Sequence, residues 1–240
     1  MHIIGWSTRA ILPKGDKANF SLAIQILKDL PFSCIEFGVM REYELPIFLE
    51  CLPDLDVSSF ERVSFHCCKL EKITEIELFK KIKPVIKKGW DIINHPNLMN
   101  DTCWKELGNQ ILIENMENRK STGRTVEEME KIFESYPNAS MCFDIGHAKQ
   151  VDPTMKLSRD LCIKFADRIK EIHLSDVDPI NCAHIPIGHK CLGKFEEIAD
   201  VLPKVPIILE GSPAIEIKDE VKFIERVFPD YGIPIRKDFS

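Results

Sequence analysis

A single (β/α)8 barrel of the α/β class is the fold that this chain predicts, and three observations lead there. Its 240 residues match the usual length of one such barrel. Eight short runs along it are continuously apolar, as parallel strands buried on both faces tend to be. Segments with helical spacing separate these runs, and repeated strand–helix alternation is how a closed parallel barrel is written in sequence. An open doubly wound sheet is the alternative arrangement of the same units. No linker or shift in composition divides the chain, so residues 1–240 read as one domain.

In order, the strand runs are His2–Trp6, Ser33–Gly38, Arg62–His66, Trp90–Asn94, Gln110–Asn115, Ser140–Asp144, Lys170–Leu174 and Pro206–Glu210. Among the helical segments, Phe20–Leu30 is dense in Leu and Ile. The pattern over Ile76–Ile86 is broken by Pro84, so a helix there should kink or restart. Polar residues 117–124 read as a loop after the fifth strand. Thr125 and Glu128 have capping-box spacing, with Met129, Ile132 and Phe133 on one helix face behind them. Leu157, Leu161, Phe165 and Ile169 recur every four residues, as do Ile217, Val221, Ile224 and Phe228, and both stripes suit helices packed on a barrel.

Bulk properties narrow the function classes. Hydrophobic residues make up 44%, enough for a sizeable core in a chain of this length. The net charge of −6 argues against a dedicated nucleic-acid binder, which usually carries a basic face. No apolar run approaches membrane-spanning length. The N-terminal MHIIGWSTRAIL lacks the charged lead and small-residue cleavage site of a signal peptide. The nine cysteines form an odd set without a C-x-x-C pair, and Cys34, Cys142 and Cys162 sit in apolar runs. Reduced, buried thiols in a cytoplasm are therefore expected.

The chemistry lies at the strand ends. In a parallel barrel all strand C-termini open on one face, where active sites are built. Glu114, Asp144, His173 and Glu210 end the fifth, sixth, seventh and eighth runs. Carboxylates that close together repel unless protons or a cation hold them. Three carboxylates and one imidazole would suit a divalent Mn, Mg, Co or Zn ion rather than a soft, thiolate-loving one. In D-I-G-H, Gly146 would permit a sharp turn that returns His147 to the mouth. His66 and His95 would stand on the opposite rim, and His184 would reach in from the loop after the seventh strand. These four are candidates for substrate binding or additional metal. His2 and His189 are read as structural.

The motifs ILIENM, FDIGHA and IHLSD, the last followed by HIPIG, resemble those of the xylose isomerase-like TIM barrel superfamily. Its members include sugar and sugar phosphate isomerases and epimerases, and endonuclease IV. The resemblance runs from GWSTRA at the first strand to ILEGSP at the eighth. Its epimerase branch implies one divalent metal on Glu114, Asp144, His173 and Glu210, with Glu114 and Glu210 also the catalytic acid/base pair and His147 on substrate oxygens. The implied reaction is proton abstraction next to a carbonyl through a metal-stabilised ene-diolate. The endonuclease IV branch implies instead a zinc phosphodiesterase acting on abasic DNA, with three zincs drawing also on His66, His95, His147 and His184. Cys182 stands where that branch carries an Asp. Leu174–Ile180 lacks the Arg usual in ketose 3-epimerases, and the Gly-x-Gly expected after HIPIG is altered. A non-catalytic metal-binding barrel is the third reading. The leading expectation is a metal-dependent isomerase or epimerase with a small sugar-like substrate and no membrane partner; a nucleic-acid partner belongs to the endonuclease reading, and a homo-oligomer stays open.

Overall fold

Eight parallel strands close into a barrel in a computed structural model that describes residues 4–13, 15–30, 32–178, 180, 183–187 and 192–212. The strands are β1 (Ile4–Ser7), β2 (Cys34–Gly38), β3 (Arg62–His66), β4 (Asp91–Asn94), β5 (Ile111–Glu114), β6 (Ser140–Asp144) and β7 (Ile169–Leu174). A two-stranded antiparallel hairpin follows, β8 (Asp176–Val177) with β9 (His184–Ile185), and then the last barrel strand, β10 (Ile207–Leu209). Each barrel strand pairs with the next, and β10 joins β7 to β1, so every strand ends at one shared mouth. All eight expected runs form strands. Part of the first, His2 included, lies outside the described residues, as do Cys182, His189, residues 188–191 and the Ile217–Phe228 stripe.

The helices between the strands are α1 (Thr8–Ile11), α2 (Phe20–Lys28), α3 (Glu44–Cys51), α4 (Glu75–Lys81), α5 (Lys83–Ile86), α6 (Val126–Ser135), α7 (Ile145–Val151), α8 (Lys156–Lys164) and α9 (Leu192–Glu196). Pro84 does restart the helix: α4 ends at Lys81 and α5 opens with the proline in its first turn, where a missing N–H does no harm. Three details differ from expectation. Between β4 and β5 the connection is 3-10 helix, Pro96–Leu98 and Thr102–Gln110, broken at Gly108, whose φ of 54° no α-helix accommodates. The Thr125 side chain caps α6 by accepting from the Glu128 N–H, but the Glu128 carboxylate is taken by Arg124, so only half the capping box forms. Both halves do form at Thr74 and Glu77. Finally, Ile169 belongs to β7 rather than to the α8 stripe.

Strand alternation sorts the side chains into two environments. Trp6, Ile35, Phe37, Phe65, Ile92, Ile113, Phe143 and Ile207 join the helices in one continuous apolar layer around the barrel. The interior faces carry Glu36, Ser64, His66, Glu114, Cys142, Asp144, Glu171 and His173, which touch one another. Ile93, Leu112 and Cys142 form a small apolar cluster separate from the outer layer. No helix among the described residues is long and apolar enough to cross a membrane.

Candidate metal centre

The mouth is built by residues at strand ends whose neighbours fix their direction. Asp144 ends β6 and caps α7: its Oδ1 accepts from the His147 N–H at 2.6 Å. That leaves Oδ2 to face the barrel. Asn115, next to Glu114, ties the tops of β5 and β6 together. Its Nδ2 donates to the Asp144 carbonyl and its Oδ1 accepts from the Asp144 N–H, both at 2.8 Å. Gly146 has a different role from the turn expected of it. It lies within α7 with no left-handed φ, and a Cβ there would sit 2.9 Å from the Ser175 carbonyl and 2.7 Å from Val177. The glycine lets α7 press against the segment after β7, which carries His147 into the mouth.

Glu114, Asp144, His173 and Glu210 present one donor atom each, all within 4.8 Å of one another. His173 Nδ1 stands 3.3 Å from Glu114 Oε1 and 3.4 Å from Glu210 Oε1. Its other nitrogen, Nε2, lies 3.3 Å from Glu171 Oε1 and 3.0 Å from Glu36 Oε2. Glu171 in turn accepts from the Ser64 hydroxyl at 3.1 Å. The His173 ring is thus aimed by carboxylates behind it, the arrangement that orients a metal-bound imidazole and fixes its tautomer. Sequence reading passed over Glu36 and Glu171. Both had signals: Glu36 interrupts the apolar run CIEFG, and Glu171 is two residues before His173 on the same strand face.

The remaining histidines complete two flanking groups. His66 Nε2 and His95 Nε2 lie 3.1 and 2.9 Å from Glu114 Oε2. His66 Nδ1 faces the Cys67 carbonyl at 3.1 Å, which keeps the proton on that side and leaves Nε2 as the ligand nitrogen. On the other side, His147 Nδ1 donates to the Asn115 carbonyl at 3.0 Å. His184, carried by β9, has its Nδ1 2.7 Å from Ser175 Oγ and 3.4 Å from Glu210 Oε2. Asp144, His147 and His184 form a second group with donor atoms within 4.8 Å, as do His66, His95 and Glu114. Every residue expected at the mouth is therefore there. The hairpin β8–β9, rather than an irregular loop, delivers His184.

Electrostatics show what is missing from the protein's own groups. Burial penalises the Glu114 charge, but His95, His173 and His66 around it hold its pKa well below the ordinary range. Burial and the repulsion of Glu210 and Glu114 drive Asp144 well above its ordinary value. Glu210 is lowered: burial opposes its charge, and His173 and His184 outweigh that. His66 loses by burial and gains more from Glu114 and Glu36, ending at about 9. Burial opposes a charged His173, yet Cys142, Glu210 and Glu36 hold it well above the usual range. Burial dominates at His147, lowering it to about 4, and also lowers His95. Two carboxylate oxygens of the centre, Asp144 Oδ2 and Glu210 Oε2, are buried with no hydrogen-bond partner among the described residues. Orphaned buried oxygens of this kind are costly, and a cation among three carboxylates and an imidazole would satisfy them. The donor set fits a hard or borderline divalent ion.

Comparison with known proteins places this geometry in context. The sequence profile described as xylose isomerase-like TIM barrel matches residues 99–227, more than half of the chain. No curated protein matches it in sequence. Among solved structures, 3-keto-D-glucoside 4-epimerase from E. coli in its apo form shares 12% identity at a TM-score of 0.61, covering 96% of this chain and 99% of that one. An AP endonuclease of family 2 from Brucella melitensis shares 14% at 0.56, covering 94% and 99%. The IolI protein with a bound zinc atom shares 11% at 0.62, covering 99% and 100%. Likeness at these identities establishes the fold and leaves the reaction to the site.

Proposed function

The chain belongs to the xylose isomerase-like TIM barrel family, and from that premise we propose that it is a divalent-metal-dependent isomerase or epimerase of a small sugar or sugar phosphate. One observation carries the reading. Glu114, Asp144, His173 and Glu210 converge on a common point, with Asp144 Oδ2 and Glu210 Oε2 buried and without a hydrogen bond among the described residues. Glu114, Asp144, His173 and Glu210 would hold the ion, with Glu36 and Glu171 behind His173. When bound, it would supply Lewis acidity to a substrate carbonyl and so acidify the neighbouring C–H.

The protein's own groups do the proton work. Glu210 lines a cavity that opens beside the centre, and its lowered pKa keeps it in the basic, ionised form. It is the base that takes the proton from carbon. Glu114 faces the same point from three strands away; ionised in the metal-free protein, it would take a proton from His66, which stays protonated beside its Oε2, and return it to the other face. Its two oxygens are held from both sides, Oε2 by His66 and His95 and Oε1 by His173, so it is the more rigid of the pair. His147 and His184 stand where substrate hydroxyls would meet them.

A second reading has a specific observation in its favour. Glu114 is shared between the central group and the His66–His95 group, and Asp144 between the centre and the His147–His184 group. Shared carboxylates suit a cluster of ions, as in a metal-dependent phosphodiesterase. Metal analysis of the purified protein separates the two. About one ion per chain is expected for the epimerase, and two or three for the phosphodiesterase, from their ligand counts. For the first reading, wild-type protein incubated in D2O with a panel of ketoses, aldoses and their phosphates should place deuterium next to the carbonyl. Glu210→Gln should slow that exchange by at least about 10²-fold with unchanged circular dichroism. Normal exchange in the variant rejects the two-glutamate scheme. Cleavage of abasic duplex DNA by the zinc-loaded protein, with no exchange into any sugar, would replace it by the second reading.

A further inference from the structure

Beside the centre lies a cavity of about 220 Å³ lined by groups of both charges. Glu210 and His184, which belong to the centre, line it together with Arg9 and Lys17 from the segment after β1. Ser7 and Met40 also line it. We propose that this cavity is an oxyanion subsite, in which Arg9 and Lys17 hold the phosphate or carboxylate terminus of the substrate while its other end meets the metal centre. The inference rests on the isomerase or epimerase reading and names the substrate class for it.

Three features support an acceptor-only ligand. Both cations are pre-positioned, which lowers the cost of organising them around a ligand. Arg9 Nη1 donates to Glu44 Oε1 at 2.8 Å, and Glu44 is itself fully buried and fixed by the N–H groups of Met40 and Arg41, both at 3.0 Å. Lys17 Nζ donates to the carbonyls of Arg9 and Leu12, which ties the lysine to the arginine's own backbone. The second feature is donor chemistry. Guanidinium and ammonium groups carry donors and no acceptor, and Arg9 engages only Nη1 among the described residues, leaving its fork of remaining N–H groups for a planar or tetrahedral oxyanion. The third is size. The cavity is below the roughly 300 Å³ at which pockets for drug-sized ligands begin, so it suits the end of a small molecule rather than a polymer.

The test titrates inorganic phosphate, and separately acetate, into metal-loaded protein by calorimetry, using wild type, Lys17→Gln and Arg9→Gln. Metal affinity of each variant is measured in parallel by competition with a chelator. Wild type should bind one of the two anions, and whichever binds more tightly assigns the terminus as phosphate or carboxylate. Both substitutions should weaken that binding by about tenfold, the effect of losing one charge-assisted hydrogen bond, with metal affinity unchanged. Anion binding that is absent in wild type, or equal in wild type and Lys17→Gln, overturns the proposal. Arg9→Gln unpairs the buried Glu44 and can fail to fold, and Lys17→Gln then decides the matter alone. If the protein takes up no metal, the metal-centre reading falls by itself. The same wild-type against Lys17→Gln comparison, made on the metal-free protein, then still decides the subsite.

Discussion

Two surfaces of the same strands carry opposite chemistry. On β2, Phe37 points outward into an aromatic layer while its neighbour Glu36 points inward to His173. On β3, Phe65 and His66 divide in the same way. Outside the barrel, Phe48 lies 5.0 Å ring to ring from both Phe20 and Phe65 and 5.2 Å from Phe37, which itself stacks on Trp90 at 5.3 Å. Inside, five carboxylates and five imidazoles crowd one volume, and two carboxylate oxygens of the centre have no hydrogen bond among the described residues. The comparison teaches a division of labour. The outer layer buries apolar surface and stabilises the fold, at roughly 1.5–3 kcal/mol per large side chain. The interior gives up stability to keep charges close, and stability surrendered at one place for function is typical of active sites.

Substitutions should separate the two. The largest effect on folding is expected from Phe48→Ala, which opens a hole in the aromatic layer. It should cost about 3–5 kcal/mol in urea unfolding while leaving metal affinity near wild type in the folded fraction. In the mouth the ranking reverses. Asp144→Asn keeps the cap on α7, because an Asn oxygen accepts the His147 N–H as well as an Asp oxygen does. It also removes one of the mutually repelling carboxylates. The metal-free variant should be at least as stable as wild type, yet bind a divalent ion at least about 100-fold more weakly by chelator competition, as loss of a direct ligand exceeds the usual outer-shell effect. A clear drop in metal-free stability would mean that the mouth, too, is organised for folding.

Smaller again is the effect expected of Glu36→Gln. Glu36 touches no part of the proposed ligand set except His173, through Nε2. Its loss should weaken metal binding by about 10-fold, within the range for partners that orient a ligating imidazole. The cobalt-loaded protein should show an altered visible spectrum with the same fold by circular dichroism. An unchanged affinity and spectrum would assign the aiming of His173 to Glu171 alone.

These same residues mark how far the sequence could be read. Strand ends such as ILIE and FDIGH were legible because a carboxylate after three apolar residues has nowhere to go but a barrel mouth, and parallel pairing then brings distant ends together. Glu36 and Glu171 were legible only as charges set in apolar strands, since a mid-strand position gives no sign of what stands across the barrel. His173 meets Glu36 from a strand far away in sequence, which only the closure of the barrel brings within reach. Gly146 suggests freedom of rotation, whereas its use is the closeness it allows to Ser175. Arg9 and Lys17 were invisible as a pair, because the cavity that joins them to Glu210 exists only once β1 lies against β10.

The gentlest way to tell the two regions apart is pH, since the aromatic layer has nothing to titrate. In the metal-free protein, His147 falls from an ordinary value of 6.5 to about 4. The unfolded chain therefore binds this proton more readily than the native one, and stability is lost as pH falls from 6.5 towards 4. His66 moves the other way, from 6.5 to about 9. Its contribution is complete below 6.5 and is lost as pH rises through 9. Thermal midpoints of the metal-free protein should therefore show both limbs, with His147→Asn flattening the acid one. Phe48→Ala should lower the whole curve and leave its shape intact. A single divalent ion held by Glu114, Asp144, His173 and Glu210 should leave the alkaline limb in place, because His66 then keeps its proton against Glu114 Oε2. Loss of that limb at saturating metal would instead bring an ion to the His66, His95 and Glu114 group, as the second reading requires.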